Sequence, residues 1–194
     1  MTRARTSLPN IITVSRILLI PVFVVIYILP WEYSYAVATF FFAAAALTDW
    51  LDGYLARKLN QTTRFGAFLD PVADKLIVVS ALVVLMVHYG NVWLTLPGLI
   101  IVGREIVISA LREWMAEMNS SIAVAVSTLG KIKTTMQMIA IGILMAFPPD
   151  YSHPMVWLGF VIMYVAALMT LWSMTMYLKA AWPTLSESAN IEAD

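Results

Sequence analysis

The chain consists of six long apolar stretches separated by short polar breaks. The stretches run near residues 10–29, 35–57, 67–88, 92–117, 127–147 and 155–178. A helix needs about 20 residues to cross the hydrocarbon core of a bilayer, and each stretch has roughly that length. The breaks contain turn-forming and interfacial residues, such as those at 30–32, 89–91 and 148–150. The pattern predicts an all-α polytopic membrane protein, a bundle of six transmembrane helices.

The composition supports a membrane protein with a single domain. Of the 194 residues, 61% are hydrophobic and 12% are charged, whereas a soluble domain carries about 25% charged residues. There is no cysteine, which excludes disulfides and thiolate metal sites. We expect residues 1–185 to form one transmembrane domain and the polar residues 186–194 to form a frayed tail.

The lysine and arginine residues predict the orientation of the helices. None of the twelve lies in the breaks near 30–34, 89–91 or 148–154, and nearly all lie at the opposite helix ends. The positive-inside rule therefore places both termini and the loops 58–66 and 118–130 in the cytoplasm. Arg16 interrupts the first stretch, and we expect its side chain to snorkel to the cytoplasmic surface rather than to bind a ligand.

Four aspartates are the most informative polar residues. Asp49 and Asp52 are three residues apart on the second helix, and Asp70 and Asp74 are four apart on the third, so each pair shares a helix face. Such carboxylates are costly in a membrane and repel one another unless they bind cations. A set of oxygen ligands selects hard divalent ions such as Mg²⁺, Mn²⁺ or Ca²⁺. Two such ions about 3.5–4 Å apart would suit phosphoryl transfer.

The residues between the aspartates fit a phosphate ligand. Gly53 and Gly66 remove side chains where a ligand could approach the backbone, and Arg57 offers a fork of donors to phosphate. One alternative is that the aspartates only form salt bridges with Arg57, Lys58 and Lys75. A second alternative is a divalent-metal transporter, but transport predicts carboxylates near the bilayer midplane, and these are predicted near one face.

The spacing D-x2-D-G-x2-A-R-x8-G-x3-D-x3-D, from Asp49 to Asp74, resembles the motif of the CDP-alcohol phosphatidyltransferases at every fixed position. The resemblance implies a six-helix enzyme, usually a homodimer, with its site open to the cytoplasm. It implies that Asp49, Asp52, Asp70 and Asp74 hold two Mg²⁺ or Mn²⁺ ions and that Asp74 is also the general base. It further implies a set of residues that bind CDP-diacylglycerol: Asn10, Thr13, Gly53, Ala56, Arg57, Thr63 and Gly66.

Basic residues on the fourth and fifth helices indicate the acceptor. Arg104, Arg112, Lys131 and Lys133 could converge into a pocket beside the aspartates, and such a pocket suits an anionic alcohol. The alternatives are that Arg104 pairs with Glu105, that Arg112 pairs with a neighbour such as Glu117, and that the lysines only anchor the helix.

The segments 103–117 and 126–137 are similar to bacterial phosphatidylglycerophosphate synthases. This similarity implies sn-glycerol 3-phosphate as the acceptor, phosphatidylglycerophosphate and CMP as products, and a place in the bacterial cytoplasmic membrane. Inositol phosphate, serine and phosphatidylglycerol remain alternative acceptors. Membrane lipid is an expected partner, and nucleic acid is not.

Overall fold

The computed structural model describes residues 8–59, 64–117 and 128–191, and within these ranges it contains six helices and no strand. The helices are α1 (Leu8–Ile28), α2 (Ser34–Leu59), α3 (Arg64–Tyr89), α4 (Val92–Glu117), α5 (Thr128–Ala146) and α6 (Pro154–Ile191). Four of them, α1, α3, α4 and α6, are long and apolar enough to cross a membrane. The apolar parts of α2 and α5 are shorter, Ser34–Thr48 and Ile132–Ala146. The predicted all-α membrane bundle is confirmed.

The helices pack so that α3 is central. It contacts α1, α2, α4 and α5, while α6 packs against α4 and α5. Short connections at 29–33, 90–91 and 147–153 join the helices at one end of the bundle, which we call the turn end. The opposite end, the site end, contains the beginnings of α1, α3 and α5 and the later parts of α2, α4 and α6. Both aspartates of α3 are therefore at the site end.

Small residues allow the helices to approach closely. On α2, Ala38, Phe42 and Ala45 follow one another at helical spacing and are all buried. Phe42 meets Phe23 of α1 edge-to-face, with ring centroids 6.0 Å apart. On α6, a Cβ added to Gly159 would lie 2.8 Å from the side chain of Leu144. Glycine is therefore what permits the close packing of α5 and α6 at that point.

The turn between α3 and α4 is fixed by two adjacent residues. Gly90 has φ of +57°, a conformation that favours glycine because it has no Cβ. The side-chain oxygen of Asn91 accepts a hydrogen bond of 2.9 Å from the N–H of Leu94 and so caps the start of α4. This rigid connection sets how α4 enters the bundle beside α3.

The last helix extends into the predicted polar tail. α6 continues to Ile191, so part of the segment 186–194 is helical, and the division into a domain of residues 1–185 and a tail stays a prediction. A helix that has already formed extends at the gain of one hydrogen bond per residue, and alanine and glutamate in this segment favour extension. The 38 residues of α6 correspond to about 57 Å, longer than the hydrocarbon core.

Candidate active site

Asp70 and Asp74 lie one turn apart near the beginning of α3. Asp70 is half-buried, and one of its oxygens accepts a hydrogen bond of 2.8 Å from the hydroxyl of Thr13. Thr13 is buried on α1, so this bond joins α1 to α3 at the site end. Asp74 is exposed and borders two cavities. The pair thus consists of one half-buried carboxylate that accepts from Thr13 and one exposed carboxylate that borders two cavities.

The other two aspartates are on the later part of α2, which contacts α3. The side chains of Asp49 and Asp52 lie outside the described part of the structure, as do those of Asn10, Ala56 and Arg57; Gly53 is in the same portion of α2. Thr63 lies wholly outside it, whereas Gly66 is in α3 and buried. Among the side chains that are described, no group of three or more acidic or histidine residues could hold a metal ion. The four-aspartate ligand set therefore stays a prediction.

Arg16 corrects one prediction. Its side chain is completely buried, so the expectation that it snorkels to the surface is wrong. Arg16 lies three residues after Thr13, and residues at that spacing share a helix face. That face is directed into the bundle by the packing of α1 on α3. Arg16 borders one of the cavities that also include Asp74.

A cavity of about 270 Å³, which we call the basic cavity, opens among α3, α4, α5 and α6. Four cations and two carboxylates line it, so its lining carries a positive surplus. The lining consists of Asp74, Lys75, Val78, Arg104, Glu105, Arg112, Gly130, Lys133, Thr134, Gln137 and Tyr177. The predicted convergence of Arg104, Arg112 and Lys133 beside an aspartate is therefore present. Lys131 is in α5, and its side chain lies outside the described residues.

Two of the cations in this cavity are buried. Arg104 donates a hydrogen bond of 2.9 Å from Nη1 to Oε1 of Glu105, and Nζ of Lys133 lies 3.8 Å from the same oxygen. Arg104 thus pairs with Glu105 and also lines the cavity. Neither Nε of Arg104 nor Nζ of Lys133 has a hydrogen-bond acceptor among the described residues. Buried donors are nearly always paired in proteins, so these two indicate a place for an anionic ligand.

Among the described residues, Arg112 is held by a tyrosine of α6; the side chain of Glu117, its predicted alternative partner, lies outside them. Nη2 of Arg112 donates a hydrogen bond of 2.9 Å to the hydroxyl oxygen of Tyr177. The guanidinium carbon lies 5.2 Å from the centroid of the Tyr177 ring, and that of Arg104 lies 5.6 Å from it. Lys75 is also fixed, since its Nζ donates to the hydroxyl of Ser109.

A second cavity of about 250 Å³ lies between α1, α2, α3 and α5, and we call it the α2-side cavity. The residues that line it are Arg16, Ala45, Ala46, Leu47, Asp74, Ile77, Thr134, Thr135 and Met138. Most of this wall is apolar, with Arg16 and Asp74 as its charged members. Asp74 and Thr134 border both cavities, so the two spaces meet at the same carboxylate.

Several lining residues were not predicted from the sequence. Gln137 is buried one turn after Lys133, and an amide inside an apolar helix is a signal that could have identified it. Glu105 was considered only as a partner for Arg104, although it also approaches Lys133. Tyr177 had no comparable signal, because its role depends on the register of α6 against α4.

Comparisons with known proteins show the family of this chain. Residues 6–172 match the CDP-alcohol phosphatidyltransferase family. A curated relative from Pseudomonas fluorescens is 54% identical over 187 residues, which cover 96% of this chain and 95% of the relative. A relative from Haemophilus influenzae is 49% identical over 95% of this chain and 98% of its own length. One from Salmonella typhimurium is 49% identical over 90% and 94%. All three are named CDP-diacylglycerol–glycerol-3-phosphate 3-phosphatidyltransferase. The predicted resemblance is confirmed, and the chain belongs to the CDP-alcohol phosphatidyltransferase family.

Proposed function

We propose that this protein transfers a phosphatidyl group from CDP-diacylglycerol to sn-glycerol 3-phosphate and releases CMP. The product is phosphatidylglycerophosphate, and residues 1–185 act as one catalytic domain. The names of relatives about half identical over nearly the whole chain support this reaction. The structural observation that carries it is the basic cavity, whose surplus of cations lies beside Asp74. Because the chain belongs to a transferase family, we favour a transferase over the alternative of a metal transporter.

The charge of the basic cavity suits a phosphate monoester as acceptor. A phosphate monoester carries about −1.5 to −2 charge at neutral pH, which complements a lining with more cations than carboxylates. The unpaired donors of Arg104 and Lys133 would bind its oxygens by charge-assisted hydrogen bonds. Serine has no net charge and would leave these donors unpaired. Inositol phosphate has the same charge, so the preference for glycerol phosphate rests on the relatives and on the experiment below.

Asp74 would act as the general base, and its position beside both cavities supports this role. Its carboxylate borders the basic cavity and the α2-side cavity, so an alcohol in one and a phosphate in the other could both reach it. In this mechanism Asp74 takes the proton of the acceptor's primary hydroxyl. The alcohol oxygen forms a bond to the phosphorus that carries diacylglycerol, and the bond from that phosphorus to CMP breaks. CMP leaves with the electron pair.

Two divalent ions, Mg²⁺ or Mn²⁺, would be held by the four aspartates Asp49, Asp52, Asp70 and Asp74. The donor set fits such ions because it offers only oxygen, and the two described carboxylates are one turn apart at the site end. Thr13 supports this assignment, since its hydrogen bond fixes the orientation of the Asp70 carboxylate. When bound, the ions would neutralise negative charge on the pyrophosphate of the donor.

The α2-side cavity suits the donor lipid. Its alanine, leucine, isoleucine and methionine side chains could contact an acyl chain, and the buried Arg16 could contact a phosphate. As the family resemblance implies, the donor's CDP part would be bound by Asn10, Thr13, Gly53, Ala56, Arg57, Thr63 and Gly66.

The proposed setting is the bacterial cytoplasmic membrane, with both termini and the site end at the cytoplasm, and a homodimeric assembly. The apolar helices support a membrane location, and the distribution of lysine and arginine supports the orientation. The homodimer is supported by the family resemblance alone.

The reaction is tested by offering purified protein CDP-diacylglycerol and Mg²⁺ with one acceptor at a time: glycerol 3-phosphate, inositol phosphate or serine. We expect CMP release and a phosphatidylglycerophosphate product only with glycerol 3-phosphate. A reaction without acceptor measures hydrolysis of the donor, and the Asp74→Asn variant provides the blank for contaminating enzymes. CMP release with serine alone would contradict the proposal.

A further inference from the structure

One aromatic ring on α6 lies against two arginines of α4. The centroid of Tyr177 is 5.6 Å from the guanidinium carbon of Arg104 and 5.2 Å from that of Arg112. Its hydroxyl oxygen accepts a hydrogen bond of 2.9 Å from Arg112, and the Tyr177 side chain is buried. All three residues line the basic cavity.

This arrangement solves a geometric and an electrostatic difficulty. Arg104 and Arg112 are eight residues apart, which is about 12 Å along α4, and their like charges repel. A ring attracts cations at its face, and a hydroxyl oxygen accepts from a guanidinium. A tyrosine between them therefore holds both side chains toward the same space without adding a negative charge that would compete with an anionic ligand.

We propose that Tyr177 is a positioning residue that holds Arg104 and Arg112 ready for the phosphate of the acceptor. This inference rests on the proposed function, because it assigns the basic cavity to that phosphate. Tyr177 acts through the two arginines: the ring orients both, and the hydroxyl fixes Arg112. It thereby sets the preference for a phosphorylated alcohol over a neutral one.

Two variants separate the contributions of ring and hydroxyl. Tyr177→Phe keeps the ring and removes the acceptor for Arg112, and we expect the KM for glycerol 3-phosphate to rise about fivefold. Tyr177→Leu removes the ring as well, and we expect a rise of about thirtyfold. The KM for CDP-diacylglycerol should stay within about twofold of wild type in both, since the α2-side cavity does not include Tyr177. An unchanged KM for glycerol 3-phosphate in both variants would overturn the inference.

Tyr164 provides the matched control. It is on the same helix, and its hydroxyl donates a hydrogen bond of 2.9 Å to the backbone oxygen of Trp93 on α4, at the turn end. Tyr164→Phe and Tyr164→Leu should leave the KM for glycerol 3-phosphate unchanged. If Tyr164→Leu raised that KM as much as Tyr177→Leu, the effect would be one of α4–α6 packing and the inference would fail.

A second measurement separates this inference from the proposed reaction. Inorganic phosphate should raise the Tm of the wild type and of Tyr164→Leu, but should raise that of Tyr177→Leu by less than half as much. If the wild type rejected glycerol 3-phosphate yet showed this pattern, the proposed acceptor would be wrong and the role of Tyr177 would stand. If phosphate raised every Tm equally, the role of Tyr177 would be wrong. Should Tyr177→Leu fail to fold, the same comparison is made with Tyr177→Phe.

Discussion

The two ends of the bundle treat their polar groups in different ways. At the turn end these groups bind one another: Asn91 caps α4, Tyr164 bonds the backbone of Trp93, and the Asp150 carboxylate accepts two hydrogen bonds from Ser152. Aromatic rings such as those of Tyr151 and Trp157 fill the remaining space. Most of the polar groups named here are satisfied within the protein and contribute to the stability of the fold, although the buried hydroxyl of Tyr27, near the end of α1, has no hydrogen-bond partner among the described residues.

At the site end the polar groups exceed their partners. Arg104 and Lys133 are buried, share one glutamate, and each retain a donor without an acceptor among the described residues. Burying an ion without a full set of partners lowers stability, and this loss is what the proposed anion site would require. The comparison teaches that, within the described part of the chain, buried cations with unpaired donors occur at the site end, where Arg104 and Lys133 lie, whereas the unpaired buried group of Tyr27 at the turn end is a neutral hydroxyl.

The largest expected effect comes from Asp74→Asn, which keeps the size of the side chain and removes its basicity. Turnover should fall by about 10³-fold, because general base catalysis contributes about 10²–10⁴. The rate of CMP release at saturating substrates checks it, with donor binding measured separately. The matched control is Asp150→Asn at the turn end, where the same change should leave turnover intact. Turnover near that of wild type in Asp74→Asn would remove the residue from the mechanism.

An intermediate effect is expected from Lys133→Met, which should weaken function and strengthen the fold. The KM for glycerol 3-phosphate should rise about 10- to 100-fold, because a charge-assisted hydrogen bond contributes about 1.5–3 kcal/mol. The Tm should rise, because a buried cation with incomplete hydrogen bonding is replaced by an apolar side chain of similar length. Kinetics with each substrate varied and a thermal melt check the two parts. Equal increases in the KM of both substrates would exclude Lys133 from the acceptor cavity.

The smallest effect is expected from Asn91→Ala at the turn end. Unlike Lys133→Met, this variant should weaken the fold and leave function unchanged. Loss of the cap on α4 should cost about 1 kcal/mol of stability, seen as a lower Tm. Both KM values and kcat should be unchanged, because the site end is at the other side of the bundle. Asn91→Ser, which retains a capping oxygen but lacks the side-chain N–H groups that donate to Tyr89 and Tyr151, should recover part of the Tm. A change in the KM for glycerol phosphate would show that the two ends are not independent.

The sequence predicted those features that depend on one helix at a time. Six apolar stretches of membrane-spanning length gave six helices, and the spacing of Asp70 and Asp74 placed them on one face of α3. Prediction from the sequence failed where the burial or contacts of a side chain depend on a neighbouring helix. Arg16 was expected to reach the surface, but the packing of α1 on α3 buries it. Tyr177 was not identified, because its meeting with Arg104 and Arg112 depends on how α6 lies against α4.

The position of Asp74 on both cavities has a stereochemical consequence. Under the proposed assignment of the alcohol and the lipid donor to the two cavities, both substrates can be present at once, and the phosphatidyl group need not form a covalent intermediate with the protein. A single in-line displacement inverts the configuration at phosphorus, whereas two successive displacements would restore it. With a donor made chiral at that phosphorus, the configuration of the product would therefore test whether both substrates meet at Asp74. Inversion would indicate a single displacement.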